Sequence, residues 1–191
     1  FYYKQGIKLN PNIAEVYYNL GIVLNRLNKF EEAEINYKKA IDLKKDYIDS
    51  YNNLGNVLIQ LNKSEEAEIY FKKIIAIDPT HVTTYCNLAI MLQDLNRSDE
   101  ALINFNKAIE LKHDYFEALI GRGQNLFDKG KFELALRDFD LCNTKDSKQR
   151  SLTALYALGR YNEIYKRIEK FSKLKEENLR VAAFSSFILY K

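Results

Sequence analysis

Apolar positions in this chain recur at intervals of three and four, break off, and resume. The same break returns at a fixed distance. Between Ile13 and Asp46, one stripe is formed by Tyr17, Leu20, Gly21, Leu24 and Leu27 and a second by Ala33, Tyr37, Ala40 and Ile41. Such spacing puts each set on one face of an α-helix, and the polar stretch "LNK" parts the two. Tyr17, Tyr51 and Tyr85 stand 34 residues apart, as do Asn19, Asn53 and Asn87, and Leu20, Leu54 and Leu88. Ala33, Ala67, Ala101 and Ala135 keep the same step, and so do Tyr37, Phe71, Phe105 and Phe139. A fixed period in this range marks an array of two-helix units. One hairpin cannot bury its own stripe, whereas stacking on neighbours does. The predicted fold is therefore all-α, a solenoid of stacked antiparallel helix pairs with one concave face.

The breaks are legible residue by residue. Asn28, Asn62, Asn96, Gly130 and Gly159 follow the first helix of each unit, and these types tolerate a left-handed backbone at a helix C-terminus. Pro11 and Pro79 mark ends of second helices. Asn12, Asp46, Thr80 and Asp114 are N-cap types ahead of the first helices; Asn12/Glu15, Asp114/Glu117 and Asp46/Asp49 read as capping boxes or variants of them. Gly21, Gly55, Ala89 and Gly123 lack bulk where the partner helix must approach, opposite Ala33, Ala67, Ala101 and Ala135. Glycine inside a helix costs about 1 kcal/mol relative to alanine, so close packing is expected there. Arg122 replaces the leucine of its offset and Asp138 precedes Phe139, which predicts an ion pair across the fourth hairpin.

The order aromatic, Leu, Gly/Ala, Leu, Ala, Phe/Tyr, Ala, Pro resembles the tetratricopeptide repeat, well over residues 14–144. The units fall at 14–47, 48–81 and 82–115, with a shortened one at 116–144. After a turn at "LCNTKDSK" come a degenerate hairpin at 145–174 and a C-terminal helix at 175–191. Residues 1–13 read as the end of a preceding unit, so the chain is expected to start inside a longer protein. The family's tryptophan is absent from the first aromatic position, which holds Tyr17, Tyr51, Tyr85 and then Leu119. The resemblance implies a right-handed superhelix whose first helices line the concave groove. It also implies that the residue two after the repeated tyrosine points into that groove: Asn19, Asn53 and Asn87, with Gly121 breaking the series. Tyr18, Asn52 and Cys86 would lie beside them, Ile22, Asn56, Ile90 and Gln124 one turn on, and Arg26, Gln60 and Asp94 near the rim.

A carboxamide offers an acceptor and two donors, which complements a peptide unit. A row of amides therefore suits an extended polypeptide held by its backbone, similar to the asparagine row of the repeat array in protein O-linked N-acetylglucosamine transferase. The expected peptide-binding residues are Asn19, Asn53, Asn87, Asn52, Asn56, Tyr18 and Gln124. Each neutral hydrogen bond contributes about 0.5–1.5 kcal/mol net, so affinity needs several rungs. The plainer reading is that asparagines on an exposed helix face need no ligand, in a chain rich in asparagine.

Composition narrows the function classes. Of 191 residues, 47% are hydrophobic, ample for a core, and the net charge of +3 is far from that of a dedicated nucleic-acid binder. Cys86 and Cys142 suggest neither a disulfide framework nor a zinc site, and reduced thiols fit a cytoplasmic setting. The apolar run near the C-terminus is too short for a bilayer, so no membrane partner is expected. Val181, Phe184, Phe187 and Ile188 share one side of it, where a second copy of the chain or a further domain would pack. His81 and His113 fall in inter-unit turns. Lys38, Lys39, Lys72, Lys73 and Lys107 lie on second helices as a solvated outer face, and Cys142 takes a packed small-residue offset. No phosphate loop, metal cluster or nucleophile motif is visible, so neither cofactor nor catalytic residue is expected. The leading expectation is a scaffold that binds an extended protein segment. The alternatives are the substrate-recruiting arm of a larger glycosyltransferase-like or other modifying enzyme and, third, an RNA-binding helical repeat.

Overall fold

The computed structural model describes Gln5 and residues 10–173. Most of the leading half-unit and the expected helix at 175–191 lie outside the described residues. Ten helices follow Asn10: α1 Ala14–Arg26, α2 Phe30–Leu43, α3 Ile48–Gln60, α4 Ser64–Ile77, α5 Val82–Asp94, α6 Ser98–Leu111, α7 Phe116–Asp128, α8 Phe132–Leu141, α9 Lys145–Ala157 and α10 Tyr161–Lys173. Among the described residues there is no strand, and the architecture is all-α helical repeat. The helices divide into two compact units, α1–α5 and α6–α10, parted between Asp94 and Leu95.

Each first helix of a pair ends as its sequence predicts. Asn28, Asn62 and Asn96 take φ of 57°, 58° and 59°, and Gly130 and Gly159 take 71° and 69°. The left-handed residue lets two amides reach back into the last turn. Asn28 N–H donates to Asn25 O and Lys29 N–H to Leu24 O, and the same two bonds recur at Asn62 and Lys63, at Gly130 and Lys131, and at Gly159 and Arg160. This is the Schellman closure, which satisfies carbonyls that helix termini leave unpaired.

Helix starts differ from expectation. The N-cap residues of α1, α3 and α7 are Ile13, Tyr47 and Tyr115, none with a side-chain cap bond. Asn12, Asp46 and Asp114 stand one residue outside, exposed, so the three capping boxes do not form. At the second of these starts packing takes precedence over capping: the Tyr47 ring lies 4.9 Å from that of Tyr18. Thr80 bonds back to Asp78, and His81 Nδ1 lies 2.7 Å from Thr84 Oγ1. The one capping box among the described helices opens α9, where Thr144 and Ser147 exchange bonds. Helix therefore begins at Lys145, inside the stretch expected to be turn.

In the first unit, α1 pairs with α2 and α3 with α4, and α1, α3 and α5 touch in succession. The repeated tyrosines pin the connections: Tyr51 Oη donates to Lys45 O and Tyr85 Oη to Pro79 O. The small residues meet rings rather than the alanines assigned to them. A Cβ on Gly21 would stand 2.6 Å from the Tyr37 ring, and one on Gly55 2.6 Å from that of Phe71. Ala33 and Ala67 are wholly buried close by in sequence, one turn short of the contact. The lysines at 38 and 63 converge on Glu34 at 2.6 and 2.9 Å, tying α2 to the start of α4.

The second unit repeats the scheme, with Phe139 against Gly123 and, from the preceding helix, Phe105 against Gly121. Its core gathers Leu126, Ala135, Leu136, Phe139, Leu152, Leu155 and Ile164. Cys142 is packed as expected, its Sγ 3.5 Å from Asp138 O, and burial pushes its thiol up to about 11. The predicted ion pair is present: Arg122 grips Asp138 through Nε at 2.8 Å and Nη2 at 2.7 Å, and its Nη1 donates to Asn106.

Two outcomes follow for stability. Gly55→Ala forces a methyl into the Phe71 ring and should cost about 1–3 kcal/mol, read as a lower urea midpoint. Arg122→Leu strands the buried Asp138 carboxylate and should cost about 3 kcal/mol. Adding Asp138→Asn, the residue type at the equivalent positions 36 and 104, should restore most of that loss; an additive double variant would show that the pair is not coupled.

Candidate functional site

The expected site residues of the first unit share the succession α1, α3, α5. The 34-residue step places Asn19, Asn53 and Asn87 at one offset, and the helices carrying them are neighbours. All three are half-buried, as are Tyr18, Asn52 and Asn56. Contacts run from helix to helix. Asn53 Nδ2 donates to Tyr18 Oη at 3.3 Å, and Asn87 Nδ2 donates to Asn52 Oδ1 at 3.0 Å. Each bond joins an amide to the residue one position earlier in the preceding pair. One N–H of Asn53 and one of Asn87 are therefore spent inside the protein, and the Asn53 amide also faces the Tyr37 hydroxyl. Asn19 and Asn56 make no side-chain hydrogen bond among the described residues.

Other expectations at this wall divide. Arg26, Gln60 and Asp94 are exposed, as rim positions should be, and Ile90 is exposed too. Cys86 is not on the wall, since it is 1% exposed. Gln124 belongs to the second unit, where both ends of its amide are occupied: Nε2 donates to Asp128, and Oε1 accepts from Arg150. Its surroundings include Phe127, Gln149 and Thr153, around a hollow of about 290 Å³.

Beneath the amides lies a cluster that the repeat pattern alone did not single out. Tyr18 packs on Tyr37 at 6.0 Å and on Tyr47 at 4.9 Å between ring centres, and Lys44 Nζ sits 4.8 Å over the Tyr47 ring. Tyr37 is wholly buried and its hydroxyl has no partner at good hydrogen-bond geometry, although the amides of Asn53 and Asn25 lie near it and oppose the rise in its pKa. The other repeats place phenylalanine there, at 71, 105 and 139. Burial, with the Tyr18 hydroxyl adding to it, pushes the Tyr37 hydroxyl up to about 12. Burial also raises Tyr18, aided by the Asp49 charge and opposed by the bond from Asn53. The signal available beforehand was the lone hydroxyl at an otherwise phenylalanine offset.

Among the described residues no group of acidic, histidine and cysteine side chains is placed to hold a metal ion, and no helix is long and apolar enough to cross a membrane. The first-helix side chains of the first unit offer amide donors and acceptors and aromatic faces.

Helix pairs at a constant step, closed by the same turn and packed ring on glycine, define a helical-repeat protein. Three tetratricopeptide-repeat models match the sequence, over residues 2–35, 23–62 and 46–114. Over residues 2–114 the chain belongs to the tetratricopeptide-repeat family. No curated protein matches the sequence. Solved structures with the same fold include YrrB, described as a TPR protein with an unusual peptide-binding site, at 21% identity and a TM-score of 0.69, covering 96% of each chain. The Pseudomonas aeruginosa pilF protein has 16% identity and a TM-score of 0.79, over 99% of this chain and 87% of its own. Yeast Tom70 has 20% identity and a TM-score of 0.76, over 98% of this chain and 42% of its own.

Tyr37→Phe tests the buried hydroxyl. Removing an unpartnered buried O–H should stabilise the protein by about 1 kcal/mol at neutral pH. The folded hydroxyl titrates near 12 and a free tyrosine near pH 10. The stability tied to its neutral form is therefore complete below about pH 10 and lost as pH rises towards 12. The phenylalanine variant should lose less stability than the parent across that alkaline window, measured by urea melts.

Proposed function

We propose that this protein is an interaction scaffold that holds an extended polypeptide segment along the first-helix wall of α1, α3 and α5. Asn19, Asn53 and Asn87 act as rungs, with Tyr18, Asn52 and Asn56 beside them. The units at 14–47, 48–81 and 82–115 supply one rung each. The observation that carries the reading is the amide relay: Asn53 to Tyr18 and Asn87 to Asn52. These bonds fix two side chains that would otherwise sample several rotamers, so less conformational entropy is lost when a guest binds. They also orient the amides while leaving donors and acceptors for a peptide backbone.

Family membership supports the same class of function, and the described peptide-binding site of YrrB, a protein of the same fold, is in keeping with it. Recognition through main-chain groups predicts tolerance of guest sequence and little dependence on salt. Gln124 has its amide committed to Asp128 and Arg150, so it is the weakest member of the proposed set.

The test is a titration of blocked peptides of unrelated sequence, followed by fluorescence anisotropy. Asn53→Ala should weaken binding by about two- to tenfold, the equivalent of one neutral hydrogen bond, and Asn53→Ala with Asn87→Ala by more. An unchanged isotherm in the double variant, with its melting curve intact, would sink the proposal.

A further inference from the structure

Comparison of the repeats offset by offset isolates a second surface, in the other unit. In the first three repeats the offset of Leu134 holds Glu32, Glu66 and Glu100, and that of Leu141 holds Lys39, Lys73 and Lys107. Where the fourth repeat has Arg137, the others have Ile35, Ile69 and Ile103, and where it has Arg122 the others have leucine. Charged outer positions have become apolar, and apolar positions charged. The four departures lie together in space. They line one groove of about 750 Å³ between α6, α7 and α8, with Leu102, Leu126 and Lys131 completing much of its wall.

The exchange changes the local chemistry in two ways. First, it leaves leucine uncovered: Leu134 is 44% and Leu141 63% exposed. They lie seven residues apart on α8, two turns or about 10 Å along one helix face. Second, it removes counter-ions. Lys29 pairs with Glu32 at 2.9 Å and Arg97 with Glu100 at 2.6 Å, three residues on in each case. Lys131 occupies the same offset, but its partner position is Leu134, and it makes no ion pair among the described residues. Arg137 makes none either. The groove's acids are already satisfied, Asp138 by Arg122 and Asp140 by two bonds from Arg167 at 2.6 and 2.8 Å. What remains is an apolar trough with two cations that make no direct ion pair, Lys131 acting on the exposed Asp99 only at a distance.

We propose that this groove is a docking site for an acidic segment of a partner protein, one that seats apolar side chains against Leu134 and Leu141 and sets carboxylates beside Lys131 and Arg137. The volume suits two or three side chains, and charge complementarity sets the sign of the flanks. The leucine lining favours a peptide over a polyphosphate chain. This site is independent of the amide wall, which lies in the first unit.

The probe is a fluorescein-labelled, end-blocked hexapeptide with two central leucines between pairs of glutamates, and its mate with lysines replacing the glutamates. The full chain carrying Asn53→Ala and Asn87→Ala, which weaken the sequence-tolerant amide wall, should bind the acidic probe and not the basic one, with affinity falling several-fold between 50 and 300 mM salt. Lys131→Glu with Arg137→Glu should weaken binding about tenfold or more; both side chains are exposed, and a circular-dichroism melt checks the fold. Leu134→Glu should weaken it similarly. The proposal is overturned by equal binding of the two probes in that background, by failure of the acidic probe to bind there, or by displacement of the acidic probe with oligouridine. It is equally overturned if sedimentation velocity shows a dimer that Leu134→Glu dissociates, since the occupant would then be a second copy.

Discussion

An aromatic ring resting where a Cβ is missing holds three of the five hairpins shut. Tyr37 lies on Gly21, Phe71 on Gly55 and Phe139 on Gly123, each so close that one methyl would collide. Such contact brings two helices nearer than ordinary side chains permit, and it wholly buries a large apolar surface at a single point. The glycine costs helix propensity, but the ring against it fixes the register between the helices. Once that register is set, the first-helix residues at one offset recur on consecutive helices, and the amide contacts of the first unit become possible. Phe105 on Gly121 extends the device to the junction between one pair and the next.

What the sequence revealed depended on how local the cause was. The left-handed turns at Asn28, Asn62, Asn96, Gly130 and Gly159 are set by a single residue's backbone freedom, and they were legible. So was the Arg122–Asp138 pair, because two departures at facing offsets answered each other. Capping boxes are local as well, yet at Asp46 the Tyr47–Tyr18 contact decided where α3 begins. The partner of the glycines was misjudged by one turn, because a period says which residues share a face but not how far a ring reaches. Cys86 looked like a wall residue by offset, while the structure buries it. The second groove left a trace only as four exceptions to the repeat; the backbone had to bring them together before they meant anything.

Two units carry surfaces of opposite character. On the first, half-buried neutral amides are held in place by one another, which suits contacts made with any main chain. On the second, exposed leucines stand beside cations that make no direct ion pair, which suits contacts made with chosen side chains. Neutral hydrogen bonds are directional and nearly indifferent to salt, whereas exposed charges act at longer range and are screened within about 10 Å. The two proposed sites would together hold one segment loosely in sequence terms and read another selectively.

Among the described residues, no side-chain hydrogen bond spans more than 35 positions, as in Asn53 with Tyr18 and Asn87 with Asn52. A fold knitted only between successive hairpins closes no large loops as it forms, so its contact order is low and its folding is expected to be fast. The same economy leaves it soft along its length. Among the described residues no strand or crosslink reaches past the next hairpin, so tension across them would peel the helices apart one hairpin after another rather than break them all at once.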